Sequence, residues 1–132
     1  MIIKKKDSFI LLIEDNKDVR EALVWSLEYA GYRVVFAING QEALNLLEKI
    51  SLPFLIILDL TMPVLDGFQF REEKKLIPRI KNIPTIISSA KTNLEKIEKM
   101  PYESFLAKPF DLNKLLTIIK QYYSLIEENS CE

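Results

Sequence analysis

Three carboxylates, a pair of hydroxyls and one lysine stand at the ends of short apolar runs, and side chains of these types together can handle phosphate. Phe9 to Ile13 runs into Glu14 and Asp15. Phe54 to Leu58 runs into Asp59. A further run from Thr85 ends in Ser88-Ser89-Ala90, and Phe105 to Ala107 runs into Lys108-Pro109. If these runs lie side by side, their ends converge. At an effective dielectric near 20, each carboxylate pair about 5 Å apart costs roughly 3 kcal/mol, which a divalent cation would relieve. An all-oxygen ligand set without His or Cys favours Mg²⁺ over Zn²⁺. Lys108 is then a point charge suited to a phosphate oxygen, and Ser89 supplies a hydroxyl donor. Acid cluster, metal, hydroxyl and lysine form a site for phosphoryl transfer, in which a carboxylate can itself be the nucleophile and become an aspartyl-phosphate.

Composition removes most other chemistries. The chain has no histidine, which excludes Ser-His-Asp and Cys-His nucleophile systems, HExxH zinc sites and imidazole acid–base catalysis. Its single cysteine, Cys131, cannot close an internal disulfide, which fits a reducing compartment. A net charge of −1 offers no general field for nucleic acid or an acidic membrane. No apolar run approaches the roughly 20 residues that span a bilayer, and Lys4 to Lys6 do not lead into a signal-peptide core. The expectation is a cytoplasmic protein with no direct nucleic-acid or membrane partner.

The elements that would position these residues alternate along the chain. Strands are expected at Phe9 to Ile13, Val34 to Ala37, Phe54 to Leu58, Thr85 to Ser89 and Phe105 to Ala107. The uninterrupted apolar runs lack polar alternation, as in a parallel sheet covered on both faces. Lys17 to Ala30 reads as a helix with Val19, Ala22, Leu23, Leu27 and Ala30 on its apolar stripe, closed by Gly31. Gln41 to Lys49 and Phe68 to Ile80 follow, the latter ended or distorted by Pro78. Asp111 caps a last helix whose stripe is Leu112, Leu115, Leu116, Ile119, Tyr122 and Ile126. Five strands alternating with helices imply an α/β fold: a five-stranded, doubly wound parallel sheet in a flavodoxin-like three-layer α/β/α sandwich. Residues 1–8 are expected to be a leader, 9–126 the domain and 127–132 a polar tail.

The motifs Ile13-Glu14-Asp15-Asn16, Leu58-Asp59-Leu60-Thr61-Met62-Pro63 with Asp66-Gly67, Ser89-Ala90 and Lys108-Pro109-Phe110 occur in this order. In them the chain resembles a receiver domain of the two-component response-regulator family, similar to the stand-alone chemotaxis type. The resemblance covers about Phe9 to about Ser124. It implies Asp59 as phosphoacceptor, Glu14 and Asp15 as the acidic pair holding Mg²⁺, and the Thr61 backbone carbonyl as a further ligand. It implies that Ser89 and Lys108 meet the phosphoryl group, that the bond to Pro109 is cis, and that Phe105 is the switching aromatic. The implied partners are a histidine kinase or histidine phosphotransfer protein and an unidentified downstream target, with the chain a monomer or a phosphorylation-dependent dimer.

Trp25 falls off the stripe of the first helix, and in this family that helix commonly meets the phosphodonor, so Trp25 is expected to help dock it. The stretch between Ser89 and Lys108 departs from the family. It is a few residues short, and Met100-Pro101-Tyr102-Glu103-Ser104 replaces the customary Gly-Ala. Pro101 is expected to end a short fourth helix bearing Leu94 and Ile97. Two other classes are weighed: a receiver-like binding module working without phosphorylation, and an aspartyl-nucleophile phosphatase of the haloacid-dehalogenase kind. The latter wants a second acid two residues after the nucleophile, where this chain has Thr61. A signalling module rather than an enzyme is expected.

Overall fold

The computed structural model describes residues 7–60 and 66–126. Thr61, most of the expected leader and the tail 127–132 lie outside the described residues, and of the leader only Asp7 and buried Ser8 are described. Ten elements alternate: β1 (Ile10–Ile13), α1 (Lys17–Tyr29), β2 (Val34–Ala37), α2 (Gly40–Lys49), β3 (Leu55–Asp59), α3 (Gly67–Lys75), β4 (Thr85–Ala90), α4 (Lys91–Leu94), β5 (Glu103–Lys108) and α5 (Leu112–Tyr123). The strands form one parallel sheet in the order β2-β1-β3-β4-β5. Every residue of β1 and β3 is buried, because helices cover both faces of the inner strands.

Period-two alternation sorts the core. Leu11, Ile13, Ile56, Leu58 and Ile87 face α2, α3 and α4 through Ala43, Leu47, Phe70 and Leu94. Ile10, Leu12, Leu55, Ile57, Ile86 and Leu106 face α1 and α5 through Leu27, Leu115 and Ile119. Side-chain caps start four of the helices: Asn16 accepts from the Val19 N–H, Asn39 from Glu42, Asp66 from Gln69 in a reciprocal capping box, and Asp111 from Asn113. Each cap is worth about 1 kcal/mol. Gly31, at φ 103°, sits one residue past the Ala30 C-cap; its N–H donates to Glu28 O, and that of Tyr32 to Leu27 O.

Several boundaries and faces differ from expectation. On α1 only Leu27 is fully buried, with Leu23 and Val24 half-buried, while Val19, Ala22 and Ala30 are exposed. This helix lies against the outer part of the sheet, so its apolar contact is narrower than its pattern. Leu112 is likewise exposed at the start of α5. Helix α3 ends at Lys75, well short of Ile80, and Ile77 to Lys81 continues as turns around Pro78, which has no N–H to continue the ladder. Strand β5 is longer than expected because β4 pairs with it from Glu103 to Lys108.

Helix α4 is a single turn. It stops at Leu94, and Lys96 and Ile97 bond as tight turns to Asn93 and Leu94, so Pro101 is not its terminator. Pro101 and Tyr102 instead form the middle of a turn in which the Glu103 N–H donates to Met100 O at 3.3 Å. Tyr102 has φ 69°, a left-handed conformation costing a residue with a Cβ about 1 kcal/mol. The segment after α4 is tied to α3 by a buried pair. Arg71 donates from Nε and Nη2 to the two Glu103 carboxylate oxygens at 2.7 Å, and from Nη2 to Glu98 O at 2.9 Å.

Gly67 lies where the chain leaving β3 turns into α3. A Cβ there would sit 2.4 Å from Leu60 Cα and 2.6 Å from Asp59 O, both backbone atoms with no freedom to yield. Gly67→Ala is expected to destabilise the fold by about 2–3 kcal/mol, read as a lowered urea midpoint at unchanged slope.

Candidate functional site

The ends of β1, β3 and β5 meet at one edge of the sheet. Glu14 follows β1, Asp59 closes β3 and Lys108 closes β5; all three continue the alternation of the α1/α5 face. One oxygen each from Glu14, Asp15 and Asp59 lie within 4.8 Å of one another. Lys108 Nζ stands 3.6 Å from Asp59 Oδ1 and 3.8 Å from Glu14 Oε1. Glu14 and Asp59 are buried, whereas Asp15 is exposed. The sequence-predicted acids and lysine therefore come together.

Local structure holds them there. Asn16 caps α1 while its own N–H donates to Glu14 Oε2 at 3.2 Å. Arg20, one turn into α1, donates from Nη1 to the Glu14 and Asp15 carbonyls and lies over the Phe36 ring. Asn16 was read from the sequence only as part of the acidic motif and Arg20 not at all, although an Asn at the N-cap and a basic residue one turn on are readable signals. Burial first, and then the Asp59 carboxylate, raise the Glu14 pKa to about 7, against the pull of Lys108 and the Asn16 N–H. Three acids facing one another with a single ammonium are an electrostatic deficit of positive charge. An all-oxygen set of this kind fits a hard divalent cation.

The two serines take opposite faces of β4. Ser89, the residue expected to meet phosphate, is buried on the α4 side and accepts from Asn93 Nδ2 at 3.1 Å. Ser88 lies beside Asp59 in register, and its buried Oγ has no hydrogen-bond partner among the described residues. It lines an apolar cavity of about 420 Å³ between α1 and the β5–α5 turn, together with Asp59, Lys108 and Phe110. The peptide bond from Lys108 to Pro109 is cis. Phe105 is half-buried among the side chains that back α4, and Lys99 Nζ sits 5.2 Å from its ring centroid. Trp25 lies apart from the acids on the outer face of α1, 68% exposed and stacked on the equally open Tyr29 at 5.4 Å.

Fold and site together define a receiver. A family model for the response regulator receiver domain matches residues 10–120, and the chain belongs to that family. It is 32% identical over 119 residues to sporulation initiation phosphotransferase F of Bacillus subtilis, covering 88% of this chain and 94% of that one. The signal receiver domain of a histidine kinase from Syntrophus aciditrophicus superposes with a TM-score of 0.80 at 29% identity, over 91% of this chain and 92% of its own. The receiver domain of a sensor histidine kinase from Pseudomonas aeruginosa, solved with a magnesium ion coordinated in its active-site cleft, gives 0.73 at 30% identity, over 89% and 98%. The chain is thus a receiver domain of two-component signalling. Among the described residues no helix is long and apolar enough to cross a membrane.

Asp59→Asn removes the charge that most directly opposes Glu14 apart from burial itself. In metal-free solution at neutral pH it is expected to raise stability by about 1–2 kcal/mol, a higher melting temperature in calorimetry.

Proposed function

We propose that Asp59 is the phosphoacceptor of this receiver. The observation that carries the reading is the buried Asp59 carboxylate at the end of the central strand, beside Lys108 at 3.6 Å and within reach of two further acids. A histidine kinase or histidine phosphotransfer protein presents phosphohistidine; an Asp59 oxygen attacks phosphorus in line, the P–N bond breaks and the imidazole leaves. Asp15, Asp59 and the Thr61 carbonyl would hold Mg²⁺, with Glu14 supporting it through water. Such an ion, when bound, neutralises charge on the phosphoryl oxygens. The chain's own part is to aim the nucleophile, set Lys108 as a cation for a phosphoryl oxygen and keep Glu14 close.

Phosphorylation adds roughly −1.5 to −2 charges at the site. Lys108 and Ser89 turn to those oxygens, and Ser89 gives up its contact with Asn93. Phe105 then moves inward from beneath Lys99 and reshapes the α4 surface. Shifting such a switch from 1:99 to 99:1 takes about 5.5 kcal/mol of differential stabilisation, largely available from two charge-assisted contacts. The single-turn α4 and its Arg71 tether confine that change to a smaller surface, which a cytoplasmic target protein reads. The Trp25–Tyr29 pair serves as an apolar anchor for the phosphodonor.

Acetyl phosphate with Mg²⁺ is expected to add one phosphoryl mass to the wild-type chain, hydroxylamine-labile, and none to Asp59→Asn. Equal gain in both would reject Asp59 as acceptor. For the docking face, Trp25→Ala is expected to slow transfer from the cognate phosphodonor about tenfold, the weight of a hot-spot aromatic. Labelling by acetyl phosphate should stay at the wild-type rate, so unchanged transfer would remove Trp25 from the interface.

A further inference from the structure

At the sheet edge opposite Asp59, a cleft of about 250 Å³ opens between α3 and the entries of β4 and β5. Arg71, Lys74, Lys81, Asn82, Tyr102 and Glu103 line it. Its charges do not cancel. Arg71 is consumed by Glu103, whose carboxylate it grips twice and which also accepts the Met100 N–H. Lys75, at the rim, pairs with Glu72 at 2.7 Å. Lys74 and Lys81 make no ion pair among the described residues. Lys74 is 7% exposed, and of its three ammonium donors one is used, on the Lys81 carbonyl at 3.0 Å. Burial of that ammonium lowers its pKa to about 8, with Glu103 opposing. A buried cation that lines a cleft and makes no ion pair among the described residues is the complement of an anion.

The second observation is independent of charge. Tyr102 occupies the left-handed position of its turn, where glycine fits without strain, and its carbonyl is held by the Thr85 N–H at 2.8 Å. The backbone is therefore pinned, and the ring stands half-exposed at the mouth of the cleft. Strain of this kind in a cleft-lining residue points to a use for its side chain. An open aromatic face beside an amide and two ammonium groups that make no ion pair among the described residues can hold a flat group attached to a dianion.

We propose that this cleft binds a small phosphate monoester, its phosphoryl group on Lys74 and Lys81 and its planar organic group on the Tyr102 ring. Two unpaired ammonium groups match a doubly charged phosphate better than a single carboxylate. Lying across the sheet from the acids, the site is separate from phosphoryl acceptance at Asp59.

The test is a titration of the full chain with adenosine monophosphate, followed by amide chemical shifts and calorimetry, with adenosine and inorganic phosphate as parallel probes. The monoester is expected to bind at millimolar concentration or tighter, shifting amides around Lys74, Asn82 and Tyr102. It should bind more tightly than inorganic phosphate, and adenosine should not bind. Lys74→Met is expected to weaken binding about tenfold, the worth of a charge-assisted contact. Tyr102→Gly relaxes the turn as it removes the ring, so its expected loss of affinity is not a folding failure. Both variants should still label with acetyl phosphate at the wild-type rate. The proposal is overturned by the absence of localised shifts, by wild-type affinity in both variants, or by inorganic phosphate binding as tightly as the nucleotide.

Discussion

The lateral register of a parallel sheet is the constraint on which the rest depends. Strands β1, β3 and β5 end at one edge, and the residue just past β1 shares a face with the last residues of β3 and β5, so Glu14, Asp59 and Lys108 converge though 94 positions separate the first from the last. The cost of that convergence is desolvation of buried carboxylates and then their mutual repulsion, which together raise the Glu14 pKa to about 7. Lys108 meets only part of it from 3.6 and 3.8 Å. A site with such a deficit is predisposed to take up a cation.

The same register gives β4 a divided role. Adjacent serines point to opposite faces: Ser89 joins the α4 side and bonds Asn93, while Ser88 is buried beside Asp59 with no hydrogen-bond partner among the described residues. Two identical residues thus differ only in parity along the strand. Beyond β4, the chain departs from regular receiver architecture. One helical turn, a pair of tight turns and a strained Tyr102 stand in place of a longer helix, and Arg71 of α3 holds this stretch through Glu98 and Glu103. The tether makes the region part of the core rather than a loose connection, and it also opens the basic cleft at the opposite edge.

The sheet and its helices were legible because their signals are local. Uninterrupted apolar runs announced buried parallel strands, Asp111 announced the cap of α5, and Gly31 marks the end of α1. The reading of faces was less complete. Val19, Ala22 and Ala30 share a helical stripe with Leu27 yet remain exposed, since a periodic pattern reports which side could be buried and not how wide the covering is. The start of β5 was missed because Glu103 and Ser104 carry no strand signal; they pair because β4 presents a ladder to them and Arg71 neutralises Glu103.

That Glu14, Asp15, Asp59 and Lys108 gather at one edge of the sheet was legible from sequence alone, because each sits at the end of an apolar run and the fold class dictates that such ends meet. Only the tertiary structure decided the supporting cast. That Arg20 braces the carbonyls beneath the acids, that Ser88 is buried next to Asp59 with no partner among the described residues, that Arg71 reaches 32 positions along the chain to Glu103, and that Lys74 is buried beneath the Lys81 carbonyl are facts of long-range packing. A charge run or a lone serine has the same appearance in a sequence whether it is solvated or enclosed. Desolvation is what separates the two, and it arises only when distant segments close over the side chain.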